Sequence, residues 1–180
     1  MKKIIGVILF LCFAVLLVGC KKKNKYHATV YTNSNDVLSE DFLFNNKIKK
    51  VEYNLKNEDG TYQIDEEGYY KTVMDEDAPE ERTYIVKDND TLSTMINSNK
   101  VTVDFDTQIV VVNLFYSTYS RDLFISSIKY EDGNAKFKLY DKHKKGLKDS
   151  SGPHCRYAFI IMDKLDIKTA TFSYSTKEVL

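Results

Sequence analysis

Apolar and polar residues alternate with a period of two along much of this chain. That period predicts half-buried strands rather than helices. Residues 51–55 (Val-Glu-Tyr-Asn-Leu) alternate cleanly and are followed by a turn signal, Asn57-Glu58-Asp59-Gly60. Residues 62–64 resume the alternation, Glu66-Glu67-Gly68 breaks it, and residues 69–74 form a third strand. This order reads as a β-meander with turn residues where the backbone reverses. Residues 75–82 are an acidic loop, and residues 83–87 a further strand. Asp90 is placed to cap a short helix over 91–98, with Leu92, Met95 and Ile96 on one face.

The second half carries stronger patterns. The run 108–115 holds Ile109-Val110-Val111-Val112, which predicts a central strand covered on both faces. Residues 123–130 and 135–140 flank Glu131-Asp132-Gly133-Asn134, the signature of a hairpin. In its second arm Phe137 and Leu139 share one face, and Lys136 and Lys138 the other. A lysine-rich loop covers about 141–155, and strands over 156–162 and 168–175 close the chain. Residues 33–46 fit either a short helix or an irregular wrap, and no internal repeat is evident. The expected fold is mainly β: an antiparallel β-sandwich-like or strongly curved sheet with one or two short helices. An α+β arrangement is the alternative.

The start of the chain breaks this pattern. Lys2 and Lys3 lead an uncharged run over 4–18, which ends at Leu17-Val18-Gly19-Cys20. A spanning helix needs about 20 apolar residues, whereas a secretory signal has a basic start, a shorter apolar core and a small-residue cleavage site. The run resembles the lipobox of bacterial lipoprotein signal peptides. The resemblance implies cleavage between Gly19 and Cys20, a diacylglycerol on the Cys20 thiol, and attachment to the outer face of the cytoplasmic membrane. An uncleaved anchor is the alternative. The expected organisation is a signal over 1–19, a lipidated cysteine with a basic tether over 20–25, and one extracytoplasmic domain over 26–180. Two acyl chains give stable anchoring where one does not. The tether Lys21-Lys22-Lys23-Asn24-Lys25 either adds about 1 kcal/mol per lysine near an anionic leaflet or serves as a solvated spacer.

Charge narrows the partners. The chain has 26 basic and 26 acidic residues; the signal holds two basic ones and no acid, and the tether four basic ones. The body over 26–180 therefore carries 20 basic against 26 acidic residues. A mildly acidic body argues against nucleic acid as a partner. Of three cysteines, Cys12 lies in the signal and Cys20 is the lipid site, so only Cys155 remains and no intrachain disulfide is expected.

Chemistry-bearing residues are few. His27, His143 and His154 lack zinc-ligand spacing. His154 and Cys155 are neighbours on a strand and point to opposite faces, so the histidine is badly placed to activate the thiol. Cys155 is expected to be buried. No Gly-x-Ser-x-Gly elbow occurs. Asp75-Glu76-Asp77 is a candidate calcium site, with a solvated acidic edge as the competing reading. Tyrosine is plentiful at 13 residues, and tryptophan is absent. Tyr69, Tyr70, Tyr116, Tyr119, Tyr130 and Tyr140 flank turns or strand ends, where they serve either a binding surface or strand packing. Tyr116, Tyr119 and Arg121 are the candidate binding residues. No cofactor is expected.

The second half also carries an order of motifs: a Leu-Ser-Thr-Met-Ile helix, Val-Asp-Phe-Asp (103–106), Ile-Val-Val-Val (109–112), Ile-Ser-Ser-Ile-Lys-Tyr-Glu-Asp-Gly-Asn (125–134) and Tyr-Ala-Phe-Ile-Ile-Met-Asp-Lys (157–164). Over roughly 90–175 this resembles the C-terminal domain of PrcB-like proteins, accessory subunits of protease complexes. That family usually has Gly-Gly-Tyr after the central strand, where this chain reads Ser117-Thr118-Tyr119-Ser120-Arg121. The resemblance implies a sandwich-like accessory domain and transfers no active-site residue. The expected function is a membrane-anchored, non-catalytic binding or accessory module at the cell envelope, reached by the membrane lipid and by an envelope protein partner. The alternatives are a small extracytoplasmic enzyme, or a subunit of an envelope transporter or protease complex.

Overall fold

A computed structural model describes residues 25–97, 100–145 and 153–179. The elements are β1 (Ala28–Tyr31), α1 (Glu40–Asn45), β2 (Glu52–Asn54), β3 (Thr72–Met74), β4 (Glu81–Val86), α2 (Asn89–Ser93), β5 (Gln108–Ser117), β6 (Leu123–Glu131), β7 (Asn134–Lys144), β8 (His154–Asp163) and β9 (Thr169–Val179). The fold is mainly β, as the alternation predicts. Gly19 and Cys20 lie outside the described residues.

Two sheets face each other. The first is antiparallel, in the order β1-β8-β5-β4, and the second has the order β6-β7-β9. Side chains of β5 and β8 leave both faces of the first sheet alternately. Ile109, Val111, Ala158, Ile160 and Met162 pack against Phe137, Leu139 and Ile167 between the sheets. Val110, Val112, Leu114, Tyr157 and Phe159 pack on the opposite face against Val37, Leu38, Ile48 and Met95. The first sheet is thus a middle layer, and 108–115 is the doubly covered strand that its apolar run predicts.

Two details differ from expectation, and one open reading is settled. The second sheet is mixed, because β9 lies parallel to β7 from Asn134↔Thr169 to Lys144↔Val179. The chain reverses once from β7 into β8 and once more into β9, so the strand returning to the second sheet runs in the direction of β7. The helix capped by Asp90 begins two residues earlier. Asp88 is the extended cap residue, and its carboxylate accepts from Thr91 N at 2.7 Å. The ambiguous 33–46 segment is a 3-10 turn followed by α1, which Ser39 caps by accepting from Phe42 N.

The meander is an arm with a hidden repeat. Leu55 N donates to Lys71 O (2.8 Å), Lys71 N to Gln63 O (2.9 Å) and Gln63 N to Leu55 O (2.9 Å). Three residues spaced by eight thereby close a ring of backbone bonds. Asn57 and Asp65 open matching turns, and Tyr62 packs on Tyr70 at 5.1 Å between ring centroids. Tyr53 and Val73 dock the arm on the helical side of the middle sheet. The hairpin between β6 and β7 turns through Asp132 (φ 50°) and Gly133 (φ 81°), the doubly left-handed geometry that favours Asp-Gly.

Candidate functional site

At one end of the sandwich the apolar seam between the sheets gives way to polar groups. The positions of β5 that face the seam are Ile109, Val111, Asn113 and Phe115; those of β8 are Met162, Ile160, Ala158 and Arg156. The same alternation along β7 runs Phe137, Leu139, Asp141. Asn113, Asp141 and Arg156 are therefore carried into the interior by strand register, and all three are buried.

Each finds partners. Asn113 Nδ2 donates to Thr83 Oγ1 at 3.0 Å and to Arg82 O at 3.3 Å, and its Oδ1 accepts from Tyr174 Oη. Arg156 Nη1 lies 3.6 Å from Asp141 Oδ2, and Arg121 Nη1 lies 3.5 Å from Asp141 Oδ1. Arg156 Nη2 also donates to Arg121 O, pinning the 118–122 loop to the sheet. Two guanidinium groups share one carboxylate. Burial pushes the Arg156 pKa down, and Asp141 opposes that shift.

Aromatic rings extend the cluster outward. The Tyr174 ring stacks on Phe115 with centroids 4.0 Å apart, Arg156 lies 5.5 Å from the Phe115 centroid, and Arg121 lies 4.4 Å from that of Tyr119. Burial raises the Tyr174 pKa, with nearby Glu81 adding to the shift, so its hydroxyl stays a donor to Asn113. A cleft of about 360 Å³ opens over these groups, with Tyr116, Tyr119, Arg156 and Thr176 among its walls. Tyr116 and Tyr119 stay partly exposed at 36% and 41%. Of the three sequence candidates, Tyr116 and Tyr119 line the cleft, and Arg121 lies beside it, over the Tyr119 ring and against Asp141. The cleft's charged floor, Asp141 and Arg156, is what the sequence reading missed. The available signal was a charge at an inward position of an alternating strand.

Other sequence candidates stand apart. Cys155 is buried, and burial pushes its thiol up to about 11, away from a reactive thiolate. It packs in the helical-side core with Tyr53 and Tyr157. Asp75, Glu76 and Asp77 form a tight turn in which Asp75 Oδ1 accepts from Asp77 N at 3.1 Å. Among the described residues no group of three or more His, Cys, Asp or Glu side chains gathers to hold a metal ion. His27 sits beside Asp163 at 3.4 Å. Tyr69 and Tyr70 are exposed on the arm, Tyr130 donates to Asp166 O, and Tyr140 lies on the outer face of the second sheet.

Neither protein-family models, nor curated proteins, nor solved structures give a match to this chain.

Proposed function

We propose that this chain is a lipid-anchored bacterial envelope protein whose body is a non-catalytic binding or accessory module. Its ligand is a partner segment that lays an acidic group into the cleft between Tyr119 and Thr176. One observation carries the reading: Tyr116 and Tyr119 line a cleft whose floor is the buried Arg156–Asp141 pair, with Arg121 closing on the same carboxylate from the adjoining loop. Half-exposed tyrosines give contact area at low entropic cost. A guanidinium already fixed by its partners loses little freedom when it meets a carboxylate.

The anchor rests on the Gly19-Cys20 junction and the charge-free run before it. The PrcB-like motif order over 90–175 supports the accessory role. The high-lying pKa of the Cys155 thiol supports a binding role over thiol chemistry, because a neutral buried thiol is a poor nucleophile.

Intact-mass analysis of protein extracted from its native membrane tests the address. The expected species begins at Cys20 and carries a diacylglycerol. A species retaining Met1 and bearing no acyl group overturns the anchor.

A further inference from the structure

The second sheet has an outer face that the sandwich leaves uncovered. Register fixes what it displays. Lys129 stands opposite Lys136, and Lys142 opposite Lys177. Lys138 and Lys144 extend the column along β7, and all six lysines are exposed. Glu131 and, in the adjoining turn, Asp132 bring two carboxylates to one corner of the face. Among the described residues none of the six makes an ion pair. Like charges directly opposite each other across strands cost stability. A body with six more acids than bases therefore gathers positive charge on one face, where the Lys129–Lys136 pair gives folding no ion pair in return.

The rest of the face is polar or shielded. Thr169, Thr171, Ser173 and Ser175 line β9 as a row of exposed hydroxyls. Lys129, Lys136 and Lys138, with Thr169 and Thr171, border a shallow hollow of about 620 Å³ that Glu131 and Asp132 close at the turn end. Phe124 and Tyr140 stack on each other at 5.4 Å. Lys142 and Lys177 cover them, with ammonium groups 4.3 Å and 3.5 Å from the respective ring centroids. The acidic arm packs on the helical side of the middle sheet, so the molecule has a basic pole and an acidic pole on opposite layers.

We propose that this face binds a linear polymer of repeating phosphodiesters with a polyol or sugar backbone, laid along β7. Residues two apart on a strand are about 6.6 Å apart, so Lys136 and Lys138, and beyond Tyr140 Lys144, set positive charge along the line of β7. Phosphates in a polyol chain recur on a comparable scale; the Thr169, Ser173 and Ser175 hydroxyls donate within the fold to Asn134 Oδ1, Phe137 O and Leu139 O, so Thr171 is the β9 hydroxyl that flanks the line as a donor. Two features disfavour other polyanions. A hollowed face makes poor contact with a flat bilayer. The two aromatic rings carry ammonium groups, leaving no bare ring for base stacking, which single-stranded nucleic-acid binders use. The proposal does not depend on the partner cleft, which lies in the seam between the sheets, or on the lipid.

The test uses the full chain in neutral detergent micelles, titrated with synthetic poly(glycerol phosphate) at several salt concentrations. Binding is expected to weaken with salt, with a log–log slope of about −3, the value for roughly four phosphates neutralised on a flexible strand. The double variant Lys136→Gln/Lys138→Gln is expected to lose at least about tenfold in affinity and to flatten the slope by one to two. Lys71→Gln, on the arm, is expected to change nothing. Because Lys136 faces Lys129, the double variant is expected to unfold at an equal or higher temperature than the parent, which separates lost binding from lost fold. Absence of binding at low salt overturns the proposal. So does an equal loss in Lys71→Gln, or tighter binding to phosphatidylglycerol vesicles or to a single-stranded oligonucleotide than to the polymer.

Discussion

Arg156 and Asp141 meet inside the seam between the two sheets, 3.6 Å apart, with side chains 4% and 9% exposed. A pair this deep is costly to break, because removing one partner leaves the other charged and dry. Asp141→Ala takes the carboxylate away from the buried Arg156 and is expected to cost about 3–5 kcal/mol in urea unfolding. Lys50 and Glu80 form an exposed pair at 3.1 Å, and Glu80→Ala is expected to cost less than about 1 kcal/mol. Equal losses in the two variants would show that the seam cluster is as solvated as the surface pair.

Tyr157 ties the helical layer to the middle sheet. Its hydroxyl accepts from the buried Val37 N at 2.9 Å. Tyr157→Phe preserves the ring and orphans that N–H, so a loss of about 1–3 kcal/mol is expected. A loss below about 0.5 kcal/mol would mean that Val37 N finds another acceptor.

Cys155 sets a pH dependence. Its ordinary pKa is 9.0, and burial pushes it up to about 11 in the folded protein. Between those values the unfolded chain releases the proton while the folded one keeps it. Stability therefore holds below about pH 9 and falls on the order of 2 kcal/mol as pH rises toward 11. Burial also raises the Tyr53 and Tyr174 pKa values above the ordinary 10.0, so they add to the fall only above about pH 10. Cys155→Ala is expected to flatten the decline between pH 9 and 10 in a series of urea unfolding curves. An unchanged slope would mean that the thiol is solvated in the folded state.

The arm is expected to open as its own unit, because its ring of bonds joins Leu55, Gln63 and Lys71 to one another. Gln63→Pro deletes the Gln63 N–H. It is expected to speed amide exchange at Leu55 and Lys71 at least about tenfold and to leave the exchange of Val111 and Ile160 unchanged. Faster exchange at all four sites would make the arm part of the global folding unit.

These features were unequally visible in the sequence. The Ile109–Val112 run and the Asp132-Gly133 turn declare themselves within a few residues, since burial on both faces and positive φ each restrict residue choice locally. The parallel β7–β9 pairing did not, because it depends on where β8 crosses to the other sheet. The arm's ring was hidden because its eight-residue repeat lies in backbone bonds, while the side chains of Leu55, Gln63 and Lys71 share no chemistry. Tyr116, Tyr119 and Arg121 could be picked out as an aromatic and basic group in one turn. Asp141 and Arg156 are brought to them only by the stacking of the two sheets, and each looks in isolation like an ordinary strand-end charge.

The cleft as the point of engagement is tested most directly by site-specific photocrosslinking in intact cells. A benzophenone amino acid is placed at Tyr119, and separately at Tyr69 on the exposed arm. The expected result is a discrete adduct from position 119, lost when Thr176→Trp fills the cleft, and none from position 69. Adducts from position 69 alone, or adducts from 119 that persist in the filled variant, would contradict it.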